Sequence, residues 1–179
     1  MKKLLLLLTI LLALSSTAFA TNWQPSTGLQ GDSVEFDEES IGLDKNFNSN
    51  RLEDKNIYVW TKITYGSDYI EKMYQKGLSR KLNPLGEFSL LKINLMNHTC
   101  TVGTVCMFDT AQNKLGEKRN WSRTMKITPN NNLGKFLNVL LKRAKEKREE
   151  VVKRTYSSDT PPGTPYIYNP LTNNWEQQQ

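Results

Sequence analysis

The sequence predicts an α+β domain, an antiparallel sheet of about five or six strands with a long C-terminal helix packed on it. Three observations predict it. Segments of β-branched, aromatic or alternating character, led by "IYVWTKITY" at 57–65, follow one another through the first two thirds of the chain. One run at helical spacing comes after them, with Leu133, Phe136, Leu137, Leu140, Leu141 and Ala144 on a single stripe. Strands in succession followed by a helix is the order of an α+β fold, whereas a parallel nucleotide-binding fold alternates the two.

The N-terminal twenty residues read as a signal peptide. Lys2 and Lys3 begin it, Leu4 to Leu14 is an apolar run broken by Thr9, and Ala18-Phe19-Ala20 is the small-x-small pattern cut by signal peptidase, so cleavage is expected after Ala20. The run is short for a membrane span. Removing these twenty of 179 residues leaves 159, enough for one domain with a core. Without Lys2 and Lys3 the 24 basic residues become 22, against 18 acidic, a net charge of +4. That mild excess does not define a nucleic-acid binder, and export argues against nucleic acid as a partner. The expected organisation is a signal peptide over 1–20, a single domain over 21–156 and a flexible proline-rich tail over 157–179.

Residues 21–33 are polar and read as a loop anchored by Trp23. In "SVEFDEESIG", Val34 and Phe36 alternate with Glu35 and Asp37, an edge strand whose acidic residues mark the wet face. "DKNFNSNRLEDKN" is a turn-rich connection. In the strand 57–65, Ile57, Val59, Thr61, Ile63 and Tyr65 share one side and Tyr58, Trp60, Lys62 and Thr64 the other. "SDYIEKMYQKG" is a short helix, capped by Ser67 or Asp68 and ended by Gly77. "EFSLLKINLM" is a strand, Asn97-His98 a turn, and "TCTVGTVCMFD" a further strand. "TAQNKLGE" is a turn in which Gly116 is the residue best suited to a left-handed conformation. "RNWSRTMKI" alternates as a strand and stops at Thr128-Pro129. The helix then starts near Leu133. Its apolar stripe ends near Ala144, and the charged "KEKREE" continues it through pairs such as Glu149–Lys153 and Glu150–Arg154, each contributing about 0.2–0.5 kcal/mol. That extension is expected to project or to lie loosely on the surface.

The chemistry-bearing residues concentrate in "HTCTVGTVCMFD", which holds the only histidine, His98, and both cysteines, Cys100 and Cys106. In one unbroken strand the cysteines lie six residues and roughly 20 Å apart on the same side, whereas a disulfide needs Cα atoms within about 7 Å. A hairpin with a three-residue loop of Val102, Gly103 and Thr104 would bring them together, but it prefers glycine at its third loop position, where Thr104 stands. The expectation is an unbroken strand with two unbonded, partly buried thiols. One histidine and two cysteines at this spacing match no usual zinc pattern, and C-x-x-C is absent. A hydrolase would have only His98 as its base. No catalytic, cofactor-binding or metal-ligating residues are therefore assigned. The weak candidate for a binding surface is the basic stretch Lys142, Arg143, Lys145, Lys147 and Arg148, which could hold heparin-like glycans, lipopolysaccharide or an acidic protein surface, although its interleaved glutamates favour a solvated helix end. The tail, with Tyr166, Tyr168 and Trp175 among prolines, could serve as an extended recognition segment.

The order Trp23, "VEFDEESI", "IYVWTKITY", a short helix, "LLKINL", "TVCMFDTAQNKLGEKRNW", "KITP" and a terminal helix resembles the surface-adhesin protein E family of exported bacterial proteins, over about residues 22–145. The resemblance implies a six-stranded antiparallel sheet with a C-terminal helix, no enzymatic activity, and adhesion to host matrix glycoproteins and plasminogen; it also allows a homodimer. Family members often carry one cysteine in the strand written here "KINLM" and another in the last helix. Leu95 stands at the first place and the helix has none, so that implied bond has neither partner here. The expected function is that of an exported, non-enzymatic binding protein without cofactor, contacting host matrix or envelope proteins from the periplasm or the outer surface. The alternative is a periplasmic accessory or inhibitor protein acting on an envelope partner.

Overall fold

The computed structural model describes residues 21–26, 33–45, 56–156 and 159–178. The expected signal peptide with its cleavage at Ala20, and most of the connection over 44–56, lie outside these residues. The chain divides into two compact units: Asn22–Thr164, and a smaller one that includes Thr21 and the residues from Pro165 onward.

The larger unit is built on one sheet. Its strands are β1 (Trp23–Ser26), β2 (Ser33–Asp37), β3 (Gly42–Asp44), β4 (Asn56–Thr64), β5 (Pro84–Asn94), β6 (Thr99–Asp109), β7 (Lys114–Lys126) and β8 (Thr155–Tyr156). The main order is β1-β2-β4-β5-β6-β7, antiparallel throughout; β3 pairs with β4, and β8 lies parallel to β3. Helix α1 (Ser67–Gln75) joins β4 to β5, α2 (Asn132–Glu146) follows β7, and α3 is the single turn Arg148–Val151. No helix among the described residues is long and apolar enough to cross a membrane.

The strict alternation in β4 separates two apolar layers. Ile57 and Val59 pair with Ile93 and Leu91 of β5, and Cys100 continues their row in β6. This layer forms the main core with Phe36, Phe136, Leu137, Leu140 and Ala144, all buried, and the Phe36 and Phe136 rings meet edge-on at 5.8 Å. Each of the Phe, Leu, Ile and Val side chains contributes about 1.5–3 kcal/mol through burial. The opposite layer holds Tyr58, Trp60, Phe88, Leu90, Cys106 and Phe108, with Phe88 and Phe108 centroids 5.0 Å apart.

The α+β class with a long C-terminal helix packed on the sheet is not what the chain adopts. The molecule is mostly antiparallel sheet, and the helices among the described residues are small, of nine, fifteen and four residues. Helical geometry fails at Lys147 (φ −106°, ψ 30°). Beyond Ala144 no apolar stripe remains to hold a rod, and Lys147 and Arg154 reach Glu39, near the start of the sheet, while Arg154 also makes the expected pair with Glu150 at 3.4 Å. The chain does not project there: Val151 is buried in the core, and Arg154 and Tyr156 accept hydrogen bonds from the Leu43 and Lys45 amides. Within the segment 157–179, expected as a flexible tail, the described residues form a hairpin, β9 (Tyr166–Asn169) with β10 (Asn174–Gln177), in which Tyr168 and Trp175 pair edge-on at 5.6 Å.

Smaller expectations also change. The turn before β7 runs over 110–113, and Gln112, not Gly116, takes the left-handed conformation (φ 67°). Asp109 organises that turn by accepting from the Asn113 amide at 2.8 Å. Asp37 is not on a wet face: it is fully buried and accepts from the Glu39 amide at 3.0 Å, capping a 3-10 turn over Glu38–Ser40. Gly66 rather than Ser67 or Asp68 precedes the first turn of α1, with no side-chain cap, while Gly77 beyond its end takes φ 101°.

Candidate functional site

The sulfur-bearing stretch forms one continuous strand, β6, and both thiols are free and buried. They do not share a side. Ser89 pairs with Val105 and Leu91 with Val102, so β6 has one more residue than β5 across that interval. This bulge at Gly103-Thr104 inverts the alternation. Cys100 joins the main core, and Cys106 pairs with Phe88 in the opposite layer. Burial pushes the Cys100 thiol up to about 12 and Cys106 up to about 11, which removes the thiolate on which reactivity depends. His98 lies in the exposed β5–β6 turn with φ 51°. The three residues therefore occupy an outer turn and two different layers. Among the described residues no group of three or more His, Cys, Asp or Glu is placed to hold a metal ion.

The basic stretch is partly used inside the molecule. Arg143 pairs with Glu38 at 3.3 Å and with Glu146 at 3.0 Å. Lys147 reaches Glu38 at 3.2 Å and Glu39 at 2.8 Å, and Arg154 reaches Glu39 at 2.6 Å. The Lys147 hydrogen bond, reinforced by the charges of Lys147 and Arg154, holds the Glu39 carboxyl below the usual glutamate range. Two of the five candidate residues thus fasten the end of α2 to the 3-10 turn. Lys142 and Lys145 are exposed without an ion pair among the described residues, and Arg148 is exposed on α3.

A second cationic feature lies on β7. Its thirteen residues carry Lys114, Lys118, Arg119, Arg123 and Lys126 against Glu117 alone, a net of +4. Burial pushes the Glu117 carboxyl up, but hydrogen bonds from Lys114 and Arg119 outweigh it and keep the group below its ordinary value. Lys118, Arg123 and Lys126 are exposed with no ion pair among the described residues. Strand β7 pairs only with β6, so its other margin has no strand partner among the described residues.

The middle of this margin is shaped by Trp121. Thr104 pairs with Arg119 and Val102 with Arg123, so β7 takes four steps where β6 takes two. The indole fills the resulting irregularity and lies on Gly103, where an added Cβ would stand 2.4 Å from the ring. Lys92 sits over the same ring at 4.4 Å, and Tyr58 meets it edge-on at 5.9 Å. Tyr58 in turn stacks on Tyr156 at 5.1 Å and donates its hydroxyl to Asp44. The composition of "KLGEKRNWSRTMK" carried the signal for this strip. What composition does not show is that the segment is the last strand of the sheet.

Comparison of the chain with protein-family models and with curated proteins finds no match to either.

Proposed function

We propose that the chain is an exported, non-enzymatic binding protein of adhesin-like type, which contacts host matrix or envelope proteins through its surface. The observation that carries this reading is the cationic margin of β7, a long exposed strand with three cations left without ion pairs among the described residues. Electrostatic complementarity of this kind governs encounter and partner choice. The leader-like segment 1–20 and the resemblance carried by "YVWTK" and "KITP" support the same reading. The test is binding of the mature chain, at physiological salt, to immobilised matrix proteins and to proteins of an envelope extract. Saturable binding to a component of either set is expected; failure to bind any of them defeats the proposal.

A further inference from the structure

The geometry points to a specific use of the outer margin of β7: we infer that it is a docking strand for an extended acidic segment of a partner protein, added to the sheet by backbone pairing. This inference rests on the binding-protein reading and names the surface and the kind of partner.

An edge strand presents a row of unpaired N–H and C=O groups, and proteins commonly keep such edges short. The opposite margin follows that habit, since β1 has four residues. Strand β7 has thirteen, set against Thr99–Phe108 of β6 and so about 30 Å long at strand rise. Two irregularities, one at Leu115 and one between Arg119 and Arg123 that is held by Trp121 on Gly103, leave two regularly paired stretches, 116–119 and 123–126.

Charge selects the occupant. Two copies of β7 would bring two margins of net +4 together, which disfavours self-pairing. An acidic strand meets the opposite situation, because Lys118, Arg123 and Lys126 have no carboxylate within the molecule's described part. Opposite charges across a strand pair are favourable, and pairing supplies affinity while side chains supply selectivity. Lysines on an edge can also serve only to repel other strands. A purely repelling edge gains no partner, so experiment separates the two roles.

The test uses the mature full-length chain and three labelled ten-residue peptides: one alternating Glu with Val and Thr, its Lys-for-Glu counterpart, and the Glu peptide N-methylated at alternate amides, which keeps the charge but cannot pair. Fluorescence anisotropy should show the Glu peptide binding at least tenfold tighter than the N-methylated one, no binding of the Lys peptide, and weakening with salt. Amides over 114–126 should exchange more slowly in the complex. The triple variant K118E/R123E/K126E should lose at least tenfold in affinity with an unchanged far-ultraviolet spectrum, and the triple Gln variant serves where charge reversal unfolds the chain. Equal binding of the N-methylated peptide, or of heparin, without exchange protection would make the strip a general polyanion surface and overturn the inference. No peptide binding would make it a repelling edge and overturn it equally. If the triple variant still captures matrix or envelope proteins as the parent does, the docking strand falls while the binding-protein reading stands. If the Glu peptide binds as expected and no matrix or envelope protein does, the docking strand stands and that reading falls.

Discussion

Substituting Gly103→Ala tests the packing that shapes the β7 margin. The new Cβ would lie 2.4, 2.7 and 2.9 Å from three ring atoms of Trp121, where carbon contacts ordinarily settle at about 3.5–4.0 Å. The indole must retreat by roughly 1 Å, an overpacking change that costs about 1–3 kcal/mol. Its withdrawal also weakens the contacts with Tyr58 at 5.9 Å and Lys92 at 4.4 Å, a further ~0.5–2 kcal/mol. Against this, alanine restricts the unfolded chain and stabilises by about 0.4–1 kcal/mol. The net expectation is a loss of about 2–3 kcal/mol. With a urea m-value of about 2 kcal/mol/M, that moves the unfolding midpoint by roughly 1 M, read by circular dichroism. The decisive comparison is the same substitution made in Trp121→Ala. With the ring gone, only the favourable chain term remains, and Gly103→Ala should become neutral or slightly stabilising. An equal loss in both backgrounds would refute the argument, because the cost would then have nothing to do with the indole.

Three further expectations follow the same logic. Gly134→Ala in the first turn of α2 should destabilise by about 1–3 kcal/mol, although alanine normally favours a helix by about 1 kcal/mol over glycine, because its Cβ would lie 2.1 Å from the Thr128 carbonyl oxygen; a raised melting temperature would contradict this. The Glu39 carboxyl is held low in the folded chain by Lys147 and Arg154, so its stabilisation is present above the unfolded value of about 4.3 and fades as pH falls through the lower folded one; Glu39→Gln should flatten the fall in melting temperature below about pH 5, and parallel curves for the two proteins would exclude the effect. Unfolding without reductant should release two titratable thiols per chain, while at pH 8 native Cys100 and Cys106 react more than about a hundredfold more slowly than a free cysteine; an unfolded chain with no reactive thiol would show that the pair is oxidised.

Much of the sheet could be read residue by residue. The two sides of β4 fall as its alternation requires, because each face meets a buried layer and register is then strongly specified. The unbroken run of β6 was legible too, but its bulge was not. Gly103 and Thr104 continue the strand pattern, and the extra residue is felt only through the pairing with Leu91 and Ser89 of β5. Alternation without the bulge would put both cysteines on one side. The end of α2 was illegible for a related reason. Lys147 and Arg154 are held by Glu39, over a hundred residues earlier, and helical periodicity carries no trace of such a partner. The candidate basic stretch was visible as composition, yet its carboxylate partners were not. On β7 the charges were equally visible, but exposure depended on the segment being last in the sheet order.

The parallel pairing of β8 on β3 has a consequence for how the molecule is made. The Leu43 amide donates to the Arg154 carbonyl, and Tyr156 closes over Gly42 and stacks on Tyr58. The third strand is thus finished by the eighth, and more than a hundred further residues must emerge before the pair can form. Closing so wide a loop adds little to the thermodynamic cost but delays the rewarding contacts. A chain halted ahead of residue 154 would leave the Leu43 amide without this acceptor and Tyr58 without its stacking partner, so synthesis past Tyr156 becomes a condition for a durable product.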